Sequence, residues 1–200
     1  MAANPITIAR RESTVEDLES FADDVRRELD DNTFFEMPSP TLQHQDIILR
    51  LALFLTQWAM QHGGKAFLSP VDLVVSPRRV FIPDLCFYGR EKMASGEVER
   101  DPKRLRVAPD LVVEILSPST ASRDRVLKFR RYAEFGVRCY WIIDPRDRIL
   151  QAFESEGGRF RDEAVLGEDE PFSPALFPGL TLSMAELLGP SQSRFPQTSE

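Results

Sequence analysis

Cysteine and histidine are scarce in this chain of 200 residues, which has two of each. Cys86 and Cys139 form no CxxC pair and no Cys/His cluster, which excludes the common structural zinc sites. Both fall in apolar runs, so two buried free thiols in a reducing compartment are expected. Long apolar runs are lacking as well. The longest helical stripe, Ile47 to Met60, is broken by Arg50 and Gln57 and is no membrane span. The opening MAANPITIARR has no signal-peptide core, so a cytoplasmic protein is expected. Basic charge is not in excess: 25 Lys and Arg face 32 Asp and Glu, a net charge of -7. That excludes a protein that coats nucleic acid through its overall charge, but leaves room for a local basic groove. No repeat and no linker divides the chain. One domain over 1–200 is expected, with a core over about 14–188 and flexible ends at 1–12 and 189–200.

What is present centres on residues 106–145, RVAPDLVVEILSPSTASRDRVLKFRRYAEFGVRCYWIIDP. Leu111 to Leu116 is an apolar run bounded by prolines and broken by one acid, Glu114. It reads as a strand buried on both faces. A buried carboxylate is costly unless a metal, a cation or hydrogen bonds neutralise it. Alternation places Asp110, Val112, Glu114 and Leu116 on one face. A turn at Ser117 to Ser119 leads to a helix capped by Ser122 or a neighbouring hydroxyl and ended by Gly136. Cys139 to Ile143 then form a second apolar strand, parallel to the first.

The flanking chain reads as follows. Ser13-Thr14-Val15-Glu16 matches a capping box for a short helix, with Ser13 as the cap. Arg27 to Leu29 and Phe34 to Met37 suit a hairpin around Asp30, Asp31 and Asn32. Thr41 caps a long amphipathic helix that stops at Gly63-Gly64. Lys65 to Val75 and Val80 to Tyr88 read as strands, the second holding Pro83 and expected to pair with Leu111 to Leu116. Residues 90–106 read as a charged surface excursion with a little helix. Gly157-Gly158 joins a late hairpin, and a brief helix follows near Met184.

Two acids lie inside apolar strands, Asp84 in FIPDLCFY and Glu114 in DLVVEILS. If the strands are neighbours, the two carboxylates meet. Such a pair, with open positions, suits Mg²⁺ or Mn²⁺, and the Ile115 carbonyl adds a third protein ligand. Lys128, in the following helix, is the candidate cation. Plainer readings stand beside these. Asp84 caps a bulge at Pro83; Lys128 is half of a surface pair with Asp124; His44 is a helix-end or core histidine; Asp72 faces solvent; Asp110 bonds a turn; Glu28 is undecided. From Arg100 to Arg131 there are nine Lys/Arg and four Asp/Glu, a local net of +5. A basic run is usually a solvated face, but around an acidic strand it also suits a phosphate-binding cleft.

At IPDLCF, APDLVVEILSPST, the spaced Asp124, Lys128 and Tyr132, and GVRCYWIIDP, the chain resembles the Uma-two family of restriction endonucleases. That family belongs to the PD-(D/E)XK nuclease superfamily. Weaker matches are RRELDDN with FFEM, SPTLQHQ and FPGLTL, and the resemblance spans roughly residues 14–188. It implies an α/β (α+β) fold with a restriction-endonuclease-like core, a mixed central sheet flanked by helices. It implies metal ligation by Asp84, Glu114 and Ile115, with Lys128 and His44 completing a catalytic set. The superfamily lysine position holds Leu116 here, and the resemblance implies that Lys128 takes its place. The expected activity is Mg²⁺- or Mn²⁺-dependent hydrolysis of DNA phosphodiester bonds, with nucleic acid as partner, no membrane, and a homodimer compatible with the chain. The alternative is a catalytically degenerate nuclease fold that binds nucleic acid or a protein partner. A third reading is hydrolysis of another phosphoester.

Overall fold

A computed structural model of the chain describes residues 5–7, 13–21 and 25–189. Most of the expected flexible ends lies outside these residues, but Pro5–Thr7 form a strand, β1, paired with the first hairpin. The short helix Val15–Ser20 is a 3₁₀ turn. Its capping box sits one residue later than expected: Thr14 is the cap, and its backbone N–H donates to Asp17 Oδ2 at 2.8 Å. The Ser13 N–H is engaged elsewhere, donating to Asn32 Oδ1 at 2.7 Å. β2 (Arg27–Asp30) and β3 (Thr33–Glu36) form the expected hairpin. Its turn residues Asp31 and Asn32 adopt positive φ of 41° and 69°, a left-handed conformation that Asn and Asp tolerate.

α1 (Leu42–His62) begins at Thr41, whose hydroxyl accepts from the His44 N–H at 3.2 Å. It ends at Gly63, with φ +83°. The strands that follow differ from the two continuous ones expected. Residues 65–75 divide into β4 (Lys65–Leu68) and β5 (Asp72–Ser76). Residues 80–88 divide into β6 (Arg79–Phe81) and β7 (Leu85–Tyr88). The breaks fall at Pro70 and Pro83, because proline donates no N–H to a ladder. Each break moves the chain from one sheet to the other. Asp72 is correspondingly not solvent-facing. It is half-buried beside Arg104 Nε at 3.5 Å. Burial pushes its carboxyl above the usual range against the pull of that arginine.

α2 (Arg90–Ala94) and β8 (Arg104–Leu105) punctuate the charged excursion. β9 (Leu111–Ile115) leads to a π-helical stretch, Arg123–Lys128, that runs directly into α3 (Phe129–Phe135). Ser122 lies inside that helix and makes no side-chain cap. The hydroxyls of Ser117, Ser119 and Thr120 instead bond one another before it. β10 (Cys139–Asp144) returns parallel to β9, as expected. β11 (Ile149–Glu156) and β12 (Arg159–Leu166) form the late hairpin, and α4 (Met184–Leu188) closes the described chain.

The expected mixed sheet is thus two mixed sheets. The first has the order β1-β3-β2-β6-β5-β8, the second β12-β11-β10-β9-β7-β4. β7 pairs antiparallel with β9, so the predicted pairing holds for Leu85–Tyr88, while β6 belongs to the first sheet. Along β9, Leu111, Val113 and Ile115 pack with Ile47, Leu51 and Leu55 of α1. Burying each such side chain contributes about 1.5–3 kcal/mol. Val112 and Leu116 face the other way, toward Tyr132 of α3 and Leu73 and Phe81 of the first sheet. Glu114 is on that second face. Cys86 and Cys139 are free and buried.

Candidate active site

Asp84 stands where the chain crosses from β6 in the first sheet to β7 in the second, one residue after Pro83. The register Leu85 to Val113 sets it beside Glu114. Its Oδ2 accepts from the Ile115 backbone N–H at 2.7 Å, and His44 Nε2 approaches the same oxygen at 3.0 Å. His44 lies in the first turn of α1, and its Nδ1 has no hydrogen-bond partner. Asp84 therefore does more than cap a bulge: it joins the strand that carries Glu114 to the start of α1.

Glu114 is 3% exposed. Its Oε1 accepts from Lys128 Nζ and from the Tyr132 hydroxyl, each at 2.8 Å. Lys128 is fully enclosed, at 0% exposure. Its ammonium also lies 2.9 Å from Glu28 Oε1 and 3.3 Å from Asp124 Oδ1. The Asp124–Lys128 pair exists, but as a buried contact and not the surface pair of the plainer reading. Asp124, Lys128 and Tyr132 recur every fourth residue along one helical side.

Glu28 arrives from β2 in the first sheet and is wholly buried. Besides Lys128 it accepts from the Ile82 N–H at 2.8 Å and from Arg123 Nη1. The Arg123 guanidinium lies over the Phe35 ring, 3.9 Å from its centre. Nothing local in the sequence marks Glu28, because its partners belong to other elements. Tyr132 entered the sequence reading only through the family resemblance, as the last of the spaced Asp124, Lys128 and Tyr132.

The electrostatics follow from burial. Burial pushes the Glu114 carboxyl well above the usual range; Lys128 pulls it down, while Asp124, Asp84 and Glu28 push it further up. Burial also raises Glu28, but Lys128 and Arg123 outweigh it and hold that carboxyl low. Burial alone lowers an ammonium, yet the three carboxylates around Lys128 raise it well above the ordinary lysine value. Burial and then the Glu114 charge push the Tyr132 hydroxyl up, so it stays a neutral donor.

His44, Asp84, Glu114, Ile115, Asp124 and Lys128 all line one cavity of about 550 Å³. All four expected catalytic residues and the Ile115 backbone are thus brought together. The basic run is not a free cationic cleft. Arg123 pairs with Glu28, Arg125 with Asp144, Arg131 with Asp30 and Asp31, and Lys128 is buried. Arg146, outside that run, stands exposed on the cavity rim. Asp110 accepts from the Gly89 N–H at 2.7 Å, the turn bond expected of it. Among the described residues, no group of three or more His, Cys, Asp or Glu forms a ready-made metal cage. No helix among them is long and apolar enough to cross a membrane.

No curated protein matches the chain. A solved structure from Anabaena variabilis ATCC 29413, described as "a putative nuclease belonging to DUF820", is similar to it with a TM-score of 0.70 at 19% identity. The match covers 88% of this chain and 97% of that one, and it shows a shared fold. A family model described as "Putative restriction endonuclease" matches residues 13–185, a span that holds both carboxylates, the buried lysine and the first hairpin. By that match the chain belongs to the Uma2 family.

Proposed function

We propose that this protein is a divalent-metal-dependent endonuclease that hydrolyses DNA phosphodiester bonds. The observation that carries the reading is the convergence of Asp84, Glu114 and Lys128, from three elements, on the wall of one cavity. Membership of the Uma2 family supports nuclease chemistry. The donor set fits a hard cation. Asp84 and Glu114 offer two carboxylates and Ile115 a carbonyl, all oxygens, with positions left for water. Carboxylates from Glu28, Asp84, Glu114 and Asp124 also outnumber the cations Lys128 and Arg123 paired with them, which leaves room for added positive charge. A bound Mg²⁺ or Mn²⁺ supplies an activated water and stabilises charge on phosphate.

The protein's own groups do the positioning. The Ile115 N–H and His44 fix the orientation of Asp84. Tyr132 and Lys128 fix Glu114. Lys128 brings a pre-oriented cation to the place where negative charge builds during phosphoryl transfer. Arg146 on the rim suits a backbone phosphate of the substrate.

A second reading, a nuclease fold that binds without cutting, has its own observation. The Lys128 ammonium is enclosed by three carboxylates, and Leu116 fills the superfamily lysine position inside an apolar cluster. Cleavage of plasmid and duplex oligonucleotides with Mg²⁺ or Mn²⁺, wild type against Asp84→Asn, separates the two. Metal-dependent cutting that is lost in the variant supports the enzyme. A wild type that retains DNA but never cuts it sinks the enzyme and leaves the binder.

A further inference from the structure

Glu28 is the group at this site for which metal ligation gives no reason. It sits in the first sheet, yet its carboxylate reaches three anchors: the Lys128 ammonium at 2.9 Å, the Ile82 N–H at 2.8 Å, and Arg123. Ile82 lies two residues before Asp84, and Arg123 begins the π-helical stretch that ends at Lys128. Glu28 therefore grips both segments that carry the site, the Asp84 crossing and the Lys128 helix. Its other contact is energetic. The Lys128 ammonium is shared among Glu114, Glu28 and Asp124, 2.8, 2.9 and 3.3 Å away, with Glu28 and Glu114 the two nearest. A carboxylate held tightly by a lysine is a poorer ligand for another cation, because the two cations compete for the same oxygens.

We infer that Glu28 is a positioning residue: it takes a share of the Lys128 ammonium that would otherwise fall to Glu114, so that Glu114 can turn to a divalent cation while the lysine keeps its carboxylate partners. This rests on the metal-dependent reading of the site given above, and adds to it a residue from a different sheet that does not line the cavity. Partners of this kind around metal sites typically alter metal affinity or activity by about 10- to 100-fold when removed. If Glu28 works through Lys128, its effect disappears once Lys128 is gone, since residues acting through one contact are not additive.

Two measurements test it. The first is metal-free: ¹⁵N NMR of the Lys128 side chain, whose enclosed ammonium exchanges its protons slowly. Glu28→Gln is expected to move or broaden that signal while circular dichroism stays native; an unmoved signal overturns the contact. The second is calorimetric titration with Mn²⁺ across the four proteins of a double-mutant cycle. Glu28→Gln is expected to weaken Mn²⁺ binding about 10-fold in the wild-type background, and by less than about twofold in the Lys128→Met background. An equal loss in both backgrounds, or none in either, overturns the positioning role. A wild type that binds no Mn²⁺ overturns the metal reading and with it the consequence drawn here, and the NMR result then decides the Glu28–Lys128 contact by itself. Should Glu28→Gln fail to fold, Glu28→Asp keeps the charge and withdraws the carboxylate. Mn²⁺ affinity within about twofold of wild type in that variant overturns the inference.

Discussion

The two faces of β9 are built on opposite plans. Leu111, Val113 and Ile115 meet α1 and Trp141 in a wholly apolar layer. On the reverse, Val112 and Leu116 flank a carboxylate held by a lysine and a tyrosine. The apolar face gains free energy from each buried apolar group and needs no partner chosen in advance, the unpartnered Trp141 indole N–H excepted. The charged face is costly to bury and keeps its geometry only while each charge has its partner. The two faces divide the labour: one carries stability, the other holds paired charges at the expense of stability.

Trp141→Ala empties the largest buried side chain of the apolar layer and is expected to destabilise the fold by about 3–5 kcal/mol. Denaturant unfolding measures it, and a loss below about 1 kcal/mol breaks the assignment of stability to that face. On the charged face, Lys128→Met is expected to lower single-turnover cleavage at saturating Mn²⁺ about 10²- to 10³-fold. A folded variant that cuts at the wild-type rate returns Lys128 to a structural role. Glu114→Gln is smaller and opposite in sign. Neutralising a carboxyl that burial and its acidic neighbours disfavour is expected to raise metal-free stability, on the order of 1 kcal/mol, while abolishing stabilisation by Mn²⁺. Melting curves with and without Mn²⁺ read both effects; a variant that Mn²⁺ still stabilises like wild type contradicts the ligand assignment. Arg130→Ala is the smallest. Its contact with Glu134, at 3.8 Å on the exposed side of α3, is expected to be worth less than about 0.5 kcal/mol, checked by the same melting experiment.

Local signals made much of the fold legible. Apolar runs and turn residues marked β9, the helix after it, β10 and both hairpins, since each depends on neighbours close in sequence. Asp84 and Glu114 stood out because acids inside apolar strands are costly. The partition into two sheets was not legible. Pro70 and Pro83 signalled interruption, but only tertiary pairing determines that β4 and β7 join one sheet while β5 and β6 join the other. The capping box slipped by one residue because Asn32, on the hairpin, claims the Ser13 N–H. Glu28 was undecidable for the same reason: its arginine partner lies 95 residues away in the chain.

That separation has a kinetic consequence. β9 to β12 are consecutive in the chain, and β9–β10, β10–β11 and β11–β12 all pair. β10–β11 and β11–β12 close short loops, and β9–β10 closes over one helix, so all three are expected to form before contacts more distant in the chain. The Glu28–Arg123 contact closes one of 95 residues, so its entropic penalty must be met before any contact energy returns. The chain is therefore expected to pass through a state that has β9 to β12 paired but no assembled charge cluster. Pulsed hydrogen exchange during refolding would see the β9–β11 amides protected ahead of the Ile82 amide, and simultaneous protection would contradict that order. In such a species Ile82 and Lys128 are not yet held by Glu28 of the first hairpin, so the tie between the two sheets at the charge cluster is the last part of the protein to assemble.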